Sequence, residues 1–304
     1  MTDGFGALPI DATRRPALGA IHGATLLCAD LATARAAYEV ALGYRVVAEG
    51  VVTASLAGQW GAPGHAGAPL LLMQPPAGDG PFLRFIEAPG MRPYVPCSAW
   101  GWHALELAVS SCDAATARLL DAGRFSLLDA PHDLGFSAGA LRAAQLLGPF
   151  GEVLYLTEIR RPVPGYSLPT ARSLIDRLFI VVQHGASAAD GLARYTAAFG
   201  NAASPVMQVD IAFMAQLHGC AVGHRYGIGT LALDACCYFE LDDTPAHVGP
   251  RPATDGLLPA GIGLVSCRGA LAAGPAAPVE LFYARARQVD CTIGPGGERL
   301  EILD

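Results

Sequence analysis

The sequence has no apolar run near the roughly 20 residues that cross a bilayer as a helix, so no membrane-spanning segment is expected. Residues Met1 to Ala17 carry Asp3, Asp11, two arginines and two prolines instead of the apolar stretch of an export signal. They read as a flexible arm or an edge-covering segment, and a cytoplasmic location follows as the expectation. None of the eight cysteines forms a CxxC pair, and Cys236 and Cys237 are adjacent. Reduced structural thiols are therefore expected over disulfides or a zinc knuckle. Charge is scarce, at 15% of residues, and the net charge of −7 comes with scattered arginines. A phosphate-tracking surface needs a basic stripe, so nucleic acid is not an expected partner. No glycine-rich phosphate loop follows a strand and opens a helix, and neither nucleotide binding nor serine hydrolysis is expected.

Apolar material is abundant, at 52% of 304 residues, enough for two cores. With 36 glycines and 23 prolines the chain turns often, which suits short strands.

The sequence also repeats itself. Gly148-Pro149-Phe150-Gly151-Glu152-Val153-Leu154-Tyr155-Leu156 matches Gly294-Pro295-Gly296-Gly297-Glu298-Arg299-Leu300-Glu301-Ile302. Each is a turn feeding an alternating strand. Leu83 to Pro89 lines up with Phe239 to Pro245, both strands stopped by proline. Three helices recur: Asp30 caps one that carries Tyr38 and stops at Gly43, Asp113 to Ala122 stops at Gly123, and one opened by Ser187 or Asp190 carries Tyr195 and stops at Gly200. Each follows a strand rich in leucine or β-branched residues. The unit is strand, helix, then about three strands, and a fourth copy starts at Gly261 with a degenerate helix region from Gly269 to Pro278.

Asp30-Leu31, Tyr38 and Leu42-Gly43-Tyr44, together with the Gly-Pro-x-Gly strand entry, resemble the βαβββ module of the vicinal oxygen chelate superfamily of glyoxalases, bleomycin-resistance proteins and extradiol dioxygenases. The resemblance implies an α+β fold of four βαβββ modules paired into two domains, each a curved mixed sheet forming a cup. The expected boundaries are an arm at 1–17, one two-module domain at 18–160, a linker at 161–172 with three prolines, and a second domain at 173–304. The resemblance also implies ligand positions for a metal. In the N-terminal half they fall on Gly23, Arg84, Ala104 and Tyr155, and in the C-terminal half on Arg177, Glu240, Gly261 and Glu301. Arginine at such a position repels a cation, so no metal cofactor is expected. The alternative is a divalent metal such as Fe2+ held by His22 and His103, each one residue before the expected position. A β-bulge at each strand start would turn both inward.

Strand alternation lines the N-terminal cup with Thr25, Arg84, Glu106 and Tyr155, with Trp102 near the rim and His132 in a gating loop. Glu106, Tyr155 and Arg84 are the candidate catalytic set: a carboxyl whose proton affinity burial raises, a phenol for an oxyanion, and a guanidinium for a carboxylate. Thr25, Trp102 and His132 are candidate substrate contacts. The bland reading pairs Arg84 with Glu106 across one sheet. The run His218, Cys220, His224, Arg225 and Tyr226 reads as a structural hairpin, and Tyr238, His247 and Tyr283 as lining of the C-terminal cup. A small molecule is the expected partner, with homodimerisation left open. The leading functional expectation is a metal-independent lyase or isomerase acting by proton transfer on an aromatic or hydrophobic oxygenated substrate. A metal-dependent dioxygenase or glyoxalase-like enzyme and a ligand-sequestering protein are the alternatives.

Overall fold

A computed structural model describes residues 6–7, 18–252, 254–269 and 289–304. After the two-residue β1 (Gly6–Ala7), the first module contributes β2 (Leu18–Cys28), β3 (Arg45–Val51), β4 (Pro69–Gln74) and β5 (Phe82–Glu87). The second contributes β6 (Gly101–Val109), β7 (Ser126–Asp133), β8 (Leu141–Leu147) and β9 (Val153–Ile159). The third contributes β10 (Ile175–Gly185), β11 (Met207–Asp210), β12 (Arg225–Ala232) and β13 (Tyr238–Asp243), and the fourth β14 (Ile262–Gly269), β15 (Val289–Ile293) and β16 (Arg299–Leu303). The helices are α1 (Leu31–Ala34), running on as a π-helix over Arg35–Ala41, then α2 (Ala54–Gln59), α3 (Cys112–Asp121), α4 (Ala188–Phe199) and α5 (Ala212–His218). The degenerate helix region of the fourth copy, beyond Gly269, and Tyr283 lie outside the described residues, as does the arm apart from β1.

Local chemistry sets the helix ends. Asp30 Oδ1 accepts from the Thr33 amide at 2.7 Å, and Ser187 Oγ from the Asp190 amide at 3.1 Å. The middle helix is capped by Ser111, two residues before the expected Asp113, because the Ser111 hydroxyl reaches the Ala114 amide at 3.3 Å. Gly43 and Gly200 close their helices at φ 83° and 75°, where a β-carbon would be strained.

The strands build two curved, mixed, eight-stranded sheets. Modules one and four make the first sheet, in the order β1-β15-β16-β14-β2-β5-β4-β3, and modules two and three make the second, in the order β11-β12-β13-β10-β6-β9-β8-β7. The expected partnering, one with two and three with four, is therefore corrected. The segment from 160 to 174 is short enough that β10 turns straight back beside β6, and the two run antiparallel with Ile180 opposite Glu106. The chain ends then meet, with β14 antiparallel to β2. In each module the last strand lies parallel to the first.

The sheets stand back to back over one core. Leu26, Phe85, Leu105, Leu107, Leu154, Val181 and Phe239 belong to it, together with Tyr38 of the first helix and Tyr195 of α4. Trp102 sits in this core and not at a cup rim: it is 1% exposed, donates from Nε1 to the Arg299 carbonyl at 2.7 Å, and lies 5.0 Å from the Phe239 ring. Two buried tyrosine–glutamate pairs tie the layers together. Tyr38 Oη donates to Glu152, at the entry to β9, and Tyr195 Oη donates to Glu298, at the entry to β16, at 2.5 Å. Each carboxylate also accepts an amide of its own turn, from Phe150 and from Gly296, both at 2.8 Å. The repeated Gly-Pro-x-Gly-Glu follows directly: the glutamate folds back over the first glycine, leaving no room for a β-carbon at Gly148 or Gly294.

Candidate active site

The outward faces of the two sheets have different fates. Over the first sheet, α2 brings Leu56 and Trp60 against Leu27, Leu70, Ile86 and Leu264. Arg84 is wholly buried there. Its Nε donates to Thr25 Oγ1 at 2.9 Å, its guanidinium lies 3.4 Å from Glu301, and Trp60 stacks over it at 4.5 Å. Glu301 also accepts from Trp60 Nε1 at 2.7 Å and from Ser266 Oγ. This cup is a closed, neutralised polar knot. Arg177, at one of the implied metal positions, instead reaches the Ala235 carbonyl and Cys237 Sγ.

The second sheet's concave face opens into a cavity of about 350 Å³. Glu106 and Tyr155 sit side by side on β6 and β9 at its floor, and Glu240 of β13 lies beyond them across β10. Gln145, Thr157 and Thr230 add polar groups, while Leu141, Phe179, Ile211 and Phe213 supply apolar walls. The linker closes one side with Val163, Tyr166 and Leu168, held by Ser167 N donating to Tyr238 Oη at 2.8 Å and by Tyr166 Oη against Thr230 Oγ1 at 3.2 Å. Tyr238 thus anchors the linker within this sheet, and His247 is exposed.

The electrostatics of this floor are those of desolvated acids. Burial raises the Glu106 carboxyl to about 7, with the Thr157 hydroxyl pulling the other way. Glu240 is held well above the usual carboxylate range by burial, then by Asp242 and Glu106. Glu106 is thus one of the charges that hold the Glu240 carboxyl up. Tyr155 is kept protonated by burial and by the surrounding acids, and its Oη is buried without a hydrogen-bond partner.

The expected site residues therefore divide. Glu106 and Tyr155 come together, with His132 at the same cavity. Thr25 and Arg84 lie on the other sheet, so Arg84 neither joins Glu106 as a catalytic partner nor pairs with it. His132 sits on strand β7 instead of a loop, with Nδ1 2.9 Å from the Ala130 carbonyl and 3.9 Å from Asp129. Sequence reasoning missed Tyr166 and its linker neighbours, whose prolines signalled a spacer and not a wall. It also passed over a Gly-x-Ser-x-Gly match at 135–139. There Ser137 sits in a 3₁₀ turn between β7 and β8, with its hydroxyl on the Leu134 carbonyl at 2.7 Å, and not on a strand-to-helix elbow.

Both strand-start bulges exist. The β6–β10 register skips His103 between Trp102 and Ala104, and the β2–β14 register skips His22 between Ile21 and Gly23. The two histidines nevertheless belong to different sheets and do not form one centre. His22 stands edge-on to Phe82 at 4.8 Å, lowered to about 4 by burial and then by Arg268. His103 stacks on His184 at 3.8 Å, lowered to about 3 by burial and then by His218.

No protein-family model matches the chain, and no curated protein matches it by sequence. Solved structures do match. Glyoxalase I from Zea mays superposes with a TM-score of 0.58 over 94% of this chain and 92% of that one, at 12% identity. A point mutant of that enzyme gives 0.60 over 94% and 93%, at 13% identity. A putative dioxygenase from Bacillus subtilis gives 0.58 over 94% and 85%, at 14% identity. The chain shares the fold of these glyoxalase and dioxygenase structures. The positions that the sequence resemblance implies for a metal do not offer a ligand set that fits one. In the first sheet they hold the buried Arg84–Glu301 pair with two glycines. In the second they hold Ala104, Tyr155 and Glu240, while Arg177 is turned elsewhere.

Proposed function

We propose that the cavity of the second sheet is the active site of a small-molecule enzyme that moves a proton on an apolar, oxygenated substrate, in the manner of a lyase or isomerase. One observation carries this reading: a buried carboxyl with raised proton affinity stands beside a buried phenol whose hydroxyl has no partner. Ionised Glu106 takes a proton from the carbon next to a substrate carbonyl. The electron pair of that C–H bond moves into the carbonyl, and Tyr155 Oη donates a hydrogen bond to the developing oxyanion. The proton on Glu106 then returns to a different carbon, completing an isomerisation, or passes to an oxygen whose bond to carbon breaks, completing an elimination. Glu240 remains protonated and serves as a second donor. The apolar walls select an aromatic or aliphatic body and keep water from the oxyanion.

The test is exchange of substrate carbon-bound hydrogen with deuterated solvent, followed by NMR over a panel of small aromatic and aliphatic carbonyl compounds. Glu106→Gln should slow exchange by about 10²-fold or more, and Tyr155→Phe by a smaller factor. Exchange that is indifferent to both substitutions would overturn the assignment. Tight binding of a compound with no exchange at all would favour the sequestering reading, which the largely apolar lining also suits.

A further inference from the structure

Five ionisable or metal-binding side chains meet at the end of the second sheet, and none of them lines the cavity: Cys97, His103, His184, His218 and Asp242. They come from four places, namely the loop before β6, the β6 bulge, the neighbouring ends of β10 and β13, and the last residue of α5. All are buried, with His103, His184 and Asp242 wholly so. Ligand atoms of Cys97, His184 and His218 lie within 4.8 Å of one another, and His103 Nε2 is 3.9 Å from Cys97 Sγ.

Buried polar atoms are ordinarily satisfied. Here both ring nitrogens of His184, Nδ1 of His103, Nε2 of His218 and both oxygens of Asp242 have no hydrogen-bond partner. Such a gathering of buried lone pairs that no protein donor satisfies is what a bound cation accounts for.

We propose that this cluster is a structural site for a divalent transition-metal ion of the zinc class, bound by Cys97 Sγ, His184 and His218, with His103 stacked against the His184 ring as its support. The donor chemistry is specific, since one thiolate with imidazoles is the set of zinc and its borderline-soft neighbours. The next layer of contacts fits as well. His218 Nδ1 is 3.0 Å from Tyr226 Oη, which leaves the orphaned Nε2 for the metal. His184 Nε2 lies 3.7 Å from Asp242, so a small closure on binding would bring that carboxylate into position to orient the imidazole. A cation of charge two would balance a thiolate at Cys97 and a carboxylate at Asp242. Tetrahedral zinc keeps such ligand atoms roughly 3.3–3.6 Å apart, so binding draws the loop, α5 and the sheet together by about 1 Å. None of the three principal ligands coincides with a metal position that the superfamily resemblance implies, which in this sheet are Ala104, Tyr155, Arg177 and Glu240.

The experiment uses the full chain, stripped with chelator and then given Zn2+ or Co2+ and desalted. The expected result is one equivalent of metal, a cobalt spectrum with thiolate-to-metal charge transfer, and a higher Tm than the stripped protein. Cys97→Ser should abolish the charge-transfer band, and His218→Ala should weaken zinc binding at least tenfold. The control His132→Ala, at an exposed strand position outside the cluster, should bind metal as the wild type does. Absence of metal from the reconstituted wild type, a cobalt spectrum without a thiolate band, or a band that survives Cys97→Ser would each overturn the proposal. The wild-type spectrum is decisive even if a variant does not fold.

Discussion

Glu106 and Arg84 are both charged residues on inward-facing strand positions, yet they meet opposite environments. Arg84 has a carboxylate, a threonine hydroxyl and an indole around it, and its charge is spent within the protein. Glu106 has no ion-pair partner among the described residues, so burial dominates its proton affinity, with the Thr157 hydroxyl opposing it. If Glu106 is the base, its active form is the ionised one. The rate kcat/KM should therefore rise about tenfold per pH unit below about 7 and level off above it, a profile that Glu106→Gln should erase. Arg84→Met should act differently, leaving Glu301 buried without its guanidinium. Urea unfolding should show a loss of about 3 kcal/mol, while binding at the second sheet's cavity stays unchanged. The alternation rule found Glu106 and Tyr155 together because both lie within one module, on adjacent parallel strands. It placed Arg84 wrongly because the face that Arg84 shares is fixed by a module some 200 residues further on.

Among the elements, the Gly-Pro-x-Gly-Glu turns and the linker show how much a short segment can state about itself. The turn, its first glycine and the strand behind it were legible from local chemistry. That the glutamate reaches a tyrosine on a helix of the opposite sheet was not, although Tyr38 and Tyr195 stand out in the repeat. Burial raises Glu298 to about 7, against an ordinary value of 4.5. The folded state therefore holds the proton that the unfolded chain releases between about pH 4.5 and 7. This contribution is full below pH 4.5 and is lost as the pH rises to about 7. Glu298→Gln keeps the shape and removes the titration, so its stability relative to the wild type should improve across that window by up to roughly 3 kcal/mol. Denaturant titrations at several pH values would show whether the gap is instead constant. In the linker, Tyr166→Ala should open the cavity wall. KM for any turned-over substrate should rise about tenfold with kcat changed less, as read by steady-state kinetics.

At the scale of the whole molecule, the closing of module one on module four and of two on three decides what can stand alone. A fragment of residues 18–160 carries β2 and β6 with both of their central partners, β14 and β10, removed. Two long apolar edges would then face solvent. Such a fragment should aggregate or self-associate, and should form a stable one-to-one complex with residues 173–304 when the two are co-expressed. A folded monomeric fragment, seen by size-exclusion chromatography and circular dichroism, would contradict this. Among the described residues no helix is long and apolar enough to cross a membrane.

The amino-acid order by itself determined the repeat, the helix caps, the strand faces and the family-like module, because caps, turns and periodicity are written within about ten residues of chain. Tertiary structure alone decided which modules share a sheet, which cup is filled by Trp60 and which stays open, and that Cys97, His103, His184 and His218 converge. Those outcomes depend on strand pairings and loop crossings between residues far apart in sequence, and no local pattern encodes them.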